Sequence, residues 1–563
     1  MTLPDDKLKE LLLTNKIIDE KTLREALETA RNSGISLYEA IASKDPANDE
    51  KIGEVVAREL KTAFVELSKT FIPEEVLAII PERLAREQKI VAFGRDKEFL
   101  HLAMADPTKA EVAELLGKKV QQKVKIYFAT ERDIENILQS YKRDLQKTLT
   151  QLLKEGGSVQ ADYLGDAPIV KIVDTLIMEA YDDRASDIHI EPEEETSLVR
   201  FRIDGMLQDI ARMPKKLHDR VITRIKVMSN LRTDEHLSAQ DGKLRIELPE
   251  ENLDIRISIL PIVEGEKAVL RLLSSKSRQY TLSDLGMSER DLKITTDAFN
   301  RSFGMVLSTG PTGAGKTTTI YAILKILNQR EKNLTTIEDP VEYRIIGANQ
   351  VQVNAKTNLT FANGLRSILR QDPNIIFVGE IRDSETADIA VNAALTGHLV
   401  FSTLHTNDAA TAIPRLTDMK VEPFLVASTV NVIIAQRLVR KICNFCRLSL
   451  TVNADDLAKK FSLNIVQEHF IPVGANKEIR VYQGKGCKAC HNSGYIGRIG
   501  IYEVLEVTKK IRELISAKAD ADLISQAAIS EGMTTMLDDG LMKVAKGITS
   551  VEEILRVTKT EFI

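Results

Sequence analysis

The 563-residue chain predicts an α/β fold, a mostly parallel sheet preceded by smaller α and α+β units. Three observations carry this. From about residue 281, short apolar runs alternate with helical stretches, the order that gives a parallel sheet covered on both faces. Residues 163–280 place several strands after a long helix, the pattern of an α+β sheet. Residues 1–62 hold only short amphipathic helical patterns. The length suits roughly three or four domains of about 100–200 residues each.

The elements follow in order. Leu8, Leu11 and Leu12 share one helical face, and Leu23, Ala26, Leu27 and Ala30 share another. The Asn-Ser-Gly at 32–34 ends the second helix. The loop 43–49 precedes another helix at about 50–61. Residues 63–140 read as a small α+β domain. "KIVAF" and "FLHLAMA" are strands around a turn, "KVKIYFA" is another, and Thr130 caps a helix with an acidic first turn. Residues 141–162 are polar and contain Gly-Gly, which reads as a linker. In 163–280 the helix "PIVKIVDTLIMEAYDD" leads into "SDIHIEP". Then "SLVRFRIDGMLQDI" alternates around Asp204-Gly205, a hairpin signal. A helix follows at about 215–230. "KLRIEL", "LDIRISILPI" and "KAVLRLL" complete the sheet. In 281–563 the strands are "GMVLS", "LTTIE", "NIIFVGE" and "HLVFST".

Composition narrows the function. Lys+Arg number 77 against 82 Asp+Glu, a net charge of -5, which argues against a general nucleic-acid surface; no nucleic-acid partner is expected. No run approaches the roughly 18 apolar residues of a membrane span. The opening "MTLPDDKLKE" lacks the basic and apolar regions of a signal peptide. The expectation is a cytoplasmic protein that meets a membrane only through partners.

"GPTGAGKT", Gly310-Pro311-Thr312-Gly313-Ala314-Gly315-Lys316-Thr317, fits G-x-x-x-x-G-K-[ST] after an apolar strand and before a helix. The glycines let the backbone curl so that N–H groups up to Thr318 face a phosphate at a helix N-terminus. Lys316 would neutralise β/γ oxygens of a bound nucleoside triphosphate, and Thr317 can ligate Mg²⁺. "NIIFVGEIRD" delivers Glu380 to the C-terminal edge of a buried strand, where it can hold Mg²⁺ through water. "TTIEDPVEY" likewise ends in Glu338, which could orient the attacking water or act as general base. His398 and His405 bracket the strand of "GHLVFSTLHTN", and a histidine at a strand end could bond the γ-phosphate. Cys443-x-x-Cys446 and Cys487-x-x-Cys490 supply four thiolates, which suits structural tetrahedral Zn²⁺; four buried free thiols, or His491 as a competing ligand, are the alternatives.

Together these segments resemble the secretion ATPase superfamily, the hexameric ATPases of type II secretion and type IV pilus assembly. The phosphate loop, "IEDPVEY", "NIIFVGEIRD" and "TGHLVFSTLHTND" stand in that family's order, as do "RASDIHIEP", "RFRIDG", "QDGKLRI" and "LPIVEGEKAVLRLL" upstream. The resemblance covers about residues 65–563. It implies a RecA-like P-loop ATPase domain over 281–563, with a zinc-binding insertion at about 441–492 and C-terminal helices. A PAS-like α+β domain over 163–280 precedes it. It further implies a homo-hexamer that uses ATP and Mg²⁺ to drive filament extension through an inner-membrane platform protein, with type II secretion as the alternative and nucleic-acid translocation less favoured.

By residue, the resemblance makes Glu338 the catalytic acid, Glu380 the Walker B glutamate, and His398 and His405 the His box. Arg184, Arg200 and Arg202 become candidates to reach the nucleotide from the preceding domain. The tetracysteine pattern favours extension or secretion over retraction. Some relatives bind cyclic di-GMP through tandem Arg-Leu-Gly motifs. Here Lys7 and Lys9 stand where the Arg and Gly belong, so cyclic di-GMP is not expected.

Overall fold

Short, mostly apolar strands build the first sheet. In this computed structural model, β1 (Ala63–Phe64), β2 (Ile90–Arg95), β3 (Phe99–Met104) and β4 (Lys123–Phe128) pair in the order β1-β4-β3-β2. Leu100, Leu102 and Ile90 turn into a core with Leu116 and Ile134 from the flanking helices. The helix Glu131–Leu138 starts where Thr130 Oγ1 accepts the Asp133 N–H at 3.2 Å. The structure describes residues 5–15, 47–67, 72–138, 166–248, 251–274, 284–461 and 478–558, with isolated positions between them. The linker read over 141–162 lies outside the described residues apart from 149 and 150, and the helix stop at 32–34 lies outside them entirely.

The chain forms two units. One contains Met1–Asp144, Arg440–Gly497 and Leu541–Glu553; the other contains Leu145–Val439, Arg498–Gly540 and Ile554–Ile563. In the second, β5 (Asp187–Pro192), β6 (Thr196–Ile203), β7 (Met206–Pro214), β8 (Gln240–Glu247), β9 (Asn252–Ile262) and β10 (Gly265–Leu273) form an antiparallel sheet ordered β7-β6-β5-β10-β9-β8. Period-two alternation turns Ile188, Ile190, Phe201, Ile257 and Leu270 into a core with the helices Asp166–Asp182 and Lys215–Met228. The opposite face carries Asp187, His189, Glu191, Arg200, Arg202, Lys267 and Arg271; the arginines and Lys267 pair with acids of the neighbouring strand β5, and His189 lies 3.5 Å from Glu191 of its own strand.

The same unit contains β11 (Gly304–Thr309), β12 (Leu334–Glu338), β13 (Asn349–Gln352), β14 (Ile375–Val378), β15 (Leu399–Leu404), β16 (Val430–Ile442) as far as Val439 and β20 (Tyr495–Glu506) from Arg498 onward. Their order is β13-β12-β14-β15-β11-β16-β20, and the pairings from β13 through β16 are parallel. β11, β14 and β15 are buried along their whole length, as strands covered on both faces must be. Every parallel strand ends at one edge, so the residues after β11, β12, β14 and β15 meet there. The remaining strands, β17 (Arg447–Asn453), β18 (Pro472–Val473) and β19 (Glu478–Gly484), form a small antiparallel sheet in the first unit. Among the described residues no helix is long and apolar enough to cross a membrane.

Candidate active site

The loop after β11 takes its shape from glycine. Gly310, Gly313 and Gly315 hold φ values of 144°, 81° and 88°, which only glycine adopts without strain. At Gly310 a Cβ would also stand 2.4 Å from the Gln436 carbonyl oxygen. The loop opens the helix Lys316–Leu327, whose first N–H groups have no partner within the helix and suit a phosphate. Lys316 is buried, with Nζ donating to the Gly310 oxygen at 2.7 Å and the Pro311 oxygen at 3.1 Å. Burial pushes its pKa below the ordinary lysine value, while the nearby charge of Glu380 works the other way.

Three candidate groups share that sheet edge with the loop. Glu380 follows β14. Its Oε2 lies 3.2 Å from His405 Nε2 and 2.8 Å from Arg382 Nε. Glu338 is the last residue of β12 and only 2% exposed. Its Oε1 accepts from the Thr336 hydroxyl at 2.6 Å and from Gln350 Nε2 at 3.3 Å, and its Oε2 accepts from the Tyr321 hydroxyl. Burial raises its pKa above the usual carboxylate value, against the lowering by these three donors. Gly379 packs between the acids; a Cβ there would lie 3.3 Å from the Glu338 Cα. Thr317 and Glu380 present hard oxygen donors beside the phosphate loop, the chemistry Mg²⁺ selects.

The other candidates lie apart. His398 precedes β15, at the opposite edge of the sheet, where its carbonyl accepts the Gly304 N–H at 3.1 Å and its Nδ1 lies 3.0 Å from the Ala393 oxygen. At about 3.3 Å per residue, a six-residue strand separates it from His405 by roughly 20 Å. Arg200 pairs with Glu191 at 2.5 Å, and Arg202 with Asp187 at 3.5 Å, both within their own sheet; Arg184 is exposed with φ 55°. Among the described residues of that sheet, Arg256 of β9 touches the loop after Glu338. Its Nη2 donates to the Val341 oxygen at 2.9 Å and its Nη1 lies 3.4 Å from Glu342.

Sequence reasoning missed Arg256, and also Gln436, Tyr321, Thr336 and Gln350. Gln436 in β16 donates from Nε2 to the Ala314 oxygen at 2.8 Å, a contact between residues 122 positions apart. Nothing in the local pattern marks it. Tyr321 could have been singled out as the one aromatic in the helix after the phosphate loop.

The four cysteines of the first unit converge, with all four Sγ atoms within 4.8 Å of one another. Cys443–Cys487 and Cys446–Cys490 stand 3.8 Å apart and Cys487–Cys490 3.7 Å. A tetrahedron with Zn–S bonds of about 2.3 Å has edges of about 3.8 Å, so the thiols fit a zinc ion. Backbone N–H groups of Gly486 and Gly494 already point at Cys446 and Cys490 sulfurs, at 3.3 and 3.2 Å, the bonds that stabilise thiolates. Hydrogen bonds from Cys443 and Cys446 hold the Cys490 thiol well below its ordinary pKa, and the bond with Cys446 pushes Cys443 up.

Residues 162–556 match the family described as Type II/IV secretion system protein, and residues 60–148 the one described as MshEN domain. The second match begins beyond Lys7 and Lys9. The chain is 36% identical over 567 residues to the type IV pilus assembly ATPase PilB of Myxococcus xanthus, covering 98% of each chain. It is 44% identical over 396 residues to the type II secretion system protein E of Pseudomonas aeruginosa, covering 70% of this chain and 76% of that one. Among solved structures, the ATPase DotB of Legionella pneumophila aligns with a TM-score of 0.52 at 21% identity, over 69% of this chain and 96% of that one, a likeness of fold.

Proposed function

This chain belongs to the Type II/IV secretion system protein family, and from that premise we propose that it is the ATP-hydrolysing motor of type IV pilus assembly. The likeness that carries the choice of pilus assembly is the one to PilB, which spans 98% of both chains. ATP hydrolysis is supported by Lys316, Glu338, Glu380 and His405 standing at one sheet edge with the glycine loop.

In this reading the loop from Gly310 to Thr318 cradles the phosphates and Lys316 leaves its own carbonyls to neutralise the β/γ oxygens. Thr317, and Glu380 through water, would hold Mg²⁺, which would supply Lewis-acid neutralisation of phosphate charge. Glu338 orients the attacking water and takes its proton. His405 reports the γ-phosphate through Glu380. Arg256 ties the preceding sheet to the loop after Glu338, so loss of phosphate moves that domain; Arg184, Arg200 and Arg202 are the further arginines open to this role. His398 takes no part in contacting phosphate.

The protein works as a homo-hexamer on an inner-membrane platform protein at the cytoplasmic face. Segment 163–280 closes on an ATPase segment 281–563, the N-terminal helical region 1–62 docks on the platform protein, and 141–162 links 63–140 to 163–280. The four cysteines hold structural Zn²⁺. The second reading, type II secretion, is favoured by the 44% identity to protein E. Chromosomal Lys316→Ala in the source cell separates the two. Loss of surface filaments with normal protein export supports pilus assembly. Normal filaments with lost export would transfer the protein to secretion.

A further inference from the structure

We propose that Tyr321 is a positioning residue for the acid. From the helix that the phosphate loop opens, its hydroxyl fixes the Glu338 carboxylate so that one lone-pair site faces the attacking water. This rests on the reading of Glu338 as the water-activating acid and deepens it.

The argument begins with packing. Tyr321 is fully buried, and its ring stands edge-on to Tyr343 at 4.4 Å and to Phe377 at 6.0 Å. A phenylalanine would fill the same space, so the hydroxyl serves something other than the core. It donates to Glu338 Oε2, while Thr336 and Gln350 donate to Oε1. A carboxylate offers about four lone-pair sites, and three donors occupy all but one. Gln350 also grips the Tyr343 oxygen at 3.1 Å, so the loop after β12 is held to the same cluster.

The placement has a geometric consequence. Lys316 opens the helix and Tyr321 lies in its second turn, so the groups that hold phosphate and the group that holds the acid share one rigid element. The acid is thereby fixed relative to the phosphorus it must serve, which is the condition for efficient in-line attack.

The charged and titratable surroundings are few. Glu342 and Tyr343 come from the loop after β12, where Arg256 partly offsets Glu342. Asp339 follows Glu338, and Glu380 lies beyond Gly379 at the end of β14. Burial and the charge of Glu342 favour the protonated acid; the bonds from Thr336, Tyr321 and Gln350 favour the carboxylate. Removing one donor therefore raises the proton affinity of Glu338 and moves the acid limb of turnover upward.

The test is the pH profile of phosphate release by the full-length chain at saturating Mg-ATP. Tyr321→Phe is expected to move the acid limb of kcat up by about one pH unit, with KM for ATP unchanged. Thr336→Val removes a second donor from another element and is expected to shift the limb the same way, so the test survives a misfolded tyrosine variant. An acid limb identical to wild type in the folded variants, with Glu338→Gln inactive, overturns the positioning role alone. Full activity in Glu338→Gln removes the acid assignment itself, and the proposal with it.

Discussion

Replacing Gln436 by Leu isolates what the neighbouring strand contributes to the phosphate loop. Gln436 is 1% exposed in β16. Its Nε2 donates to the Ala314 oxygen at 2.8 Å and its Oε1 accepts from the Ser308 hydroxyl at 3.4 Å. Leu is close enough in size to fill the site without a large cavity, so the lost bonds dominate the effect. Ala314 is 3% exposed, so its carbonyl would be left without a partner. An orphaned buried acceptor costs about 1–3 kcal/mol. The loop escapes that cost by turning the carbonyl toward water, which breaks the curl that aims N–H groups at phosphate. Binding ATP must then restore the curl. At about 1.4 kcal/mol per tenfold, the Kd for ATP rises roughly 5- to 140-fold. Turnover at saturation changes little, because Glu338 and Glu380 are untouched. Titration with a fluorescent ATP analogue, together with steady-state phosphate release, measures both. A Kd within twofold of wild type, in a folded variant, would refute the reasoning.

Further outcomes follow from the same contacts. Glu338→Gln should raise the melting temperature at neutral pH. The folded pKa of Glu338 lies above its unfolded value near 4.5, so the ionised acid costs stability that rises as pH climbs through the folded pKa. The gain should disappear below the unfolded value; a variant no more stable than wild type at pH 8 would contradict this. Metal analysis should find one zinc per chain, and Cys490→Ser should lose it and lower the melting temperature, because the cluster's own core is little more than the cysteines with Phe445 and Ile496. A zinc-free, equally stable wild-type protein would oppose that. Arg256→Ala should speed hydrogen exchange over residues 341–346, and unchanged exchange there would show that the arginine does not hold the loop.

The fold class was legible because it rests on period and order. Four apolar runs alternating with helices leave little choice but a parallel sheet, and parallel strands put Lys316, Glu338, Glu380 and His405 on one edge. That same logic, applied fully, separates His398 from the others, since it enters the strand that His405 leaves. The convergence of the cysteines was legible from their paired spacing. Illegible were the contacts made by tertiary packing across long sequence distances. Gln436 supports a loop more than a hundred residues before it, and its strand β16 reads as one more apolar run. Arg256 looks no different in sequence from Arg200 and Arg202, because all three sit at alternating positions of strands. Only the register and sheet order show that two are spent on Glu191 and Asp187 while the third reaches Val341. Tyr321 is hidden for a simpler reason: a buried aromatic in a helix is expected of any core, and only its hydroxyl's partner makes it more.

Phosphate release under Mg-ATP by the wild-type chain, Lys316→Ala and Glu338→Gln, compared at equal concentration, bears on all of this at once. Steady turnover in the wild type and a drop of at least about 100-fold in each variant is the expected result. Wild-type turnover in either variant would mean that the cleft at the ends of β11, β12 and β14 is not where ATP is cleaved.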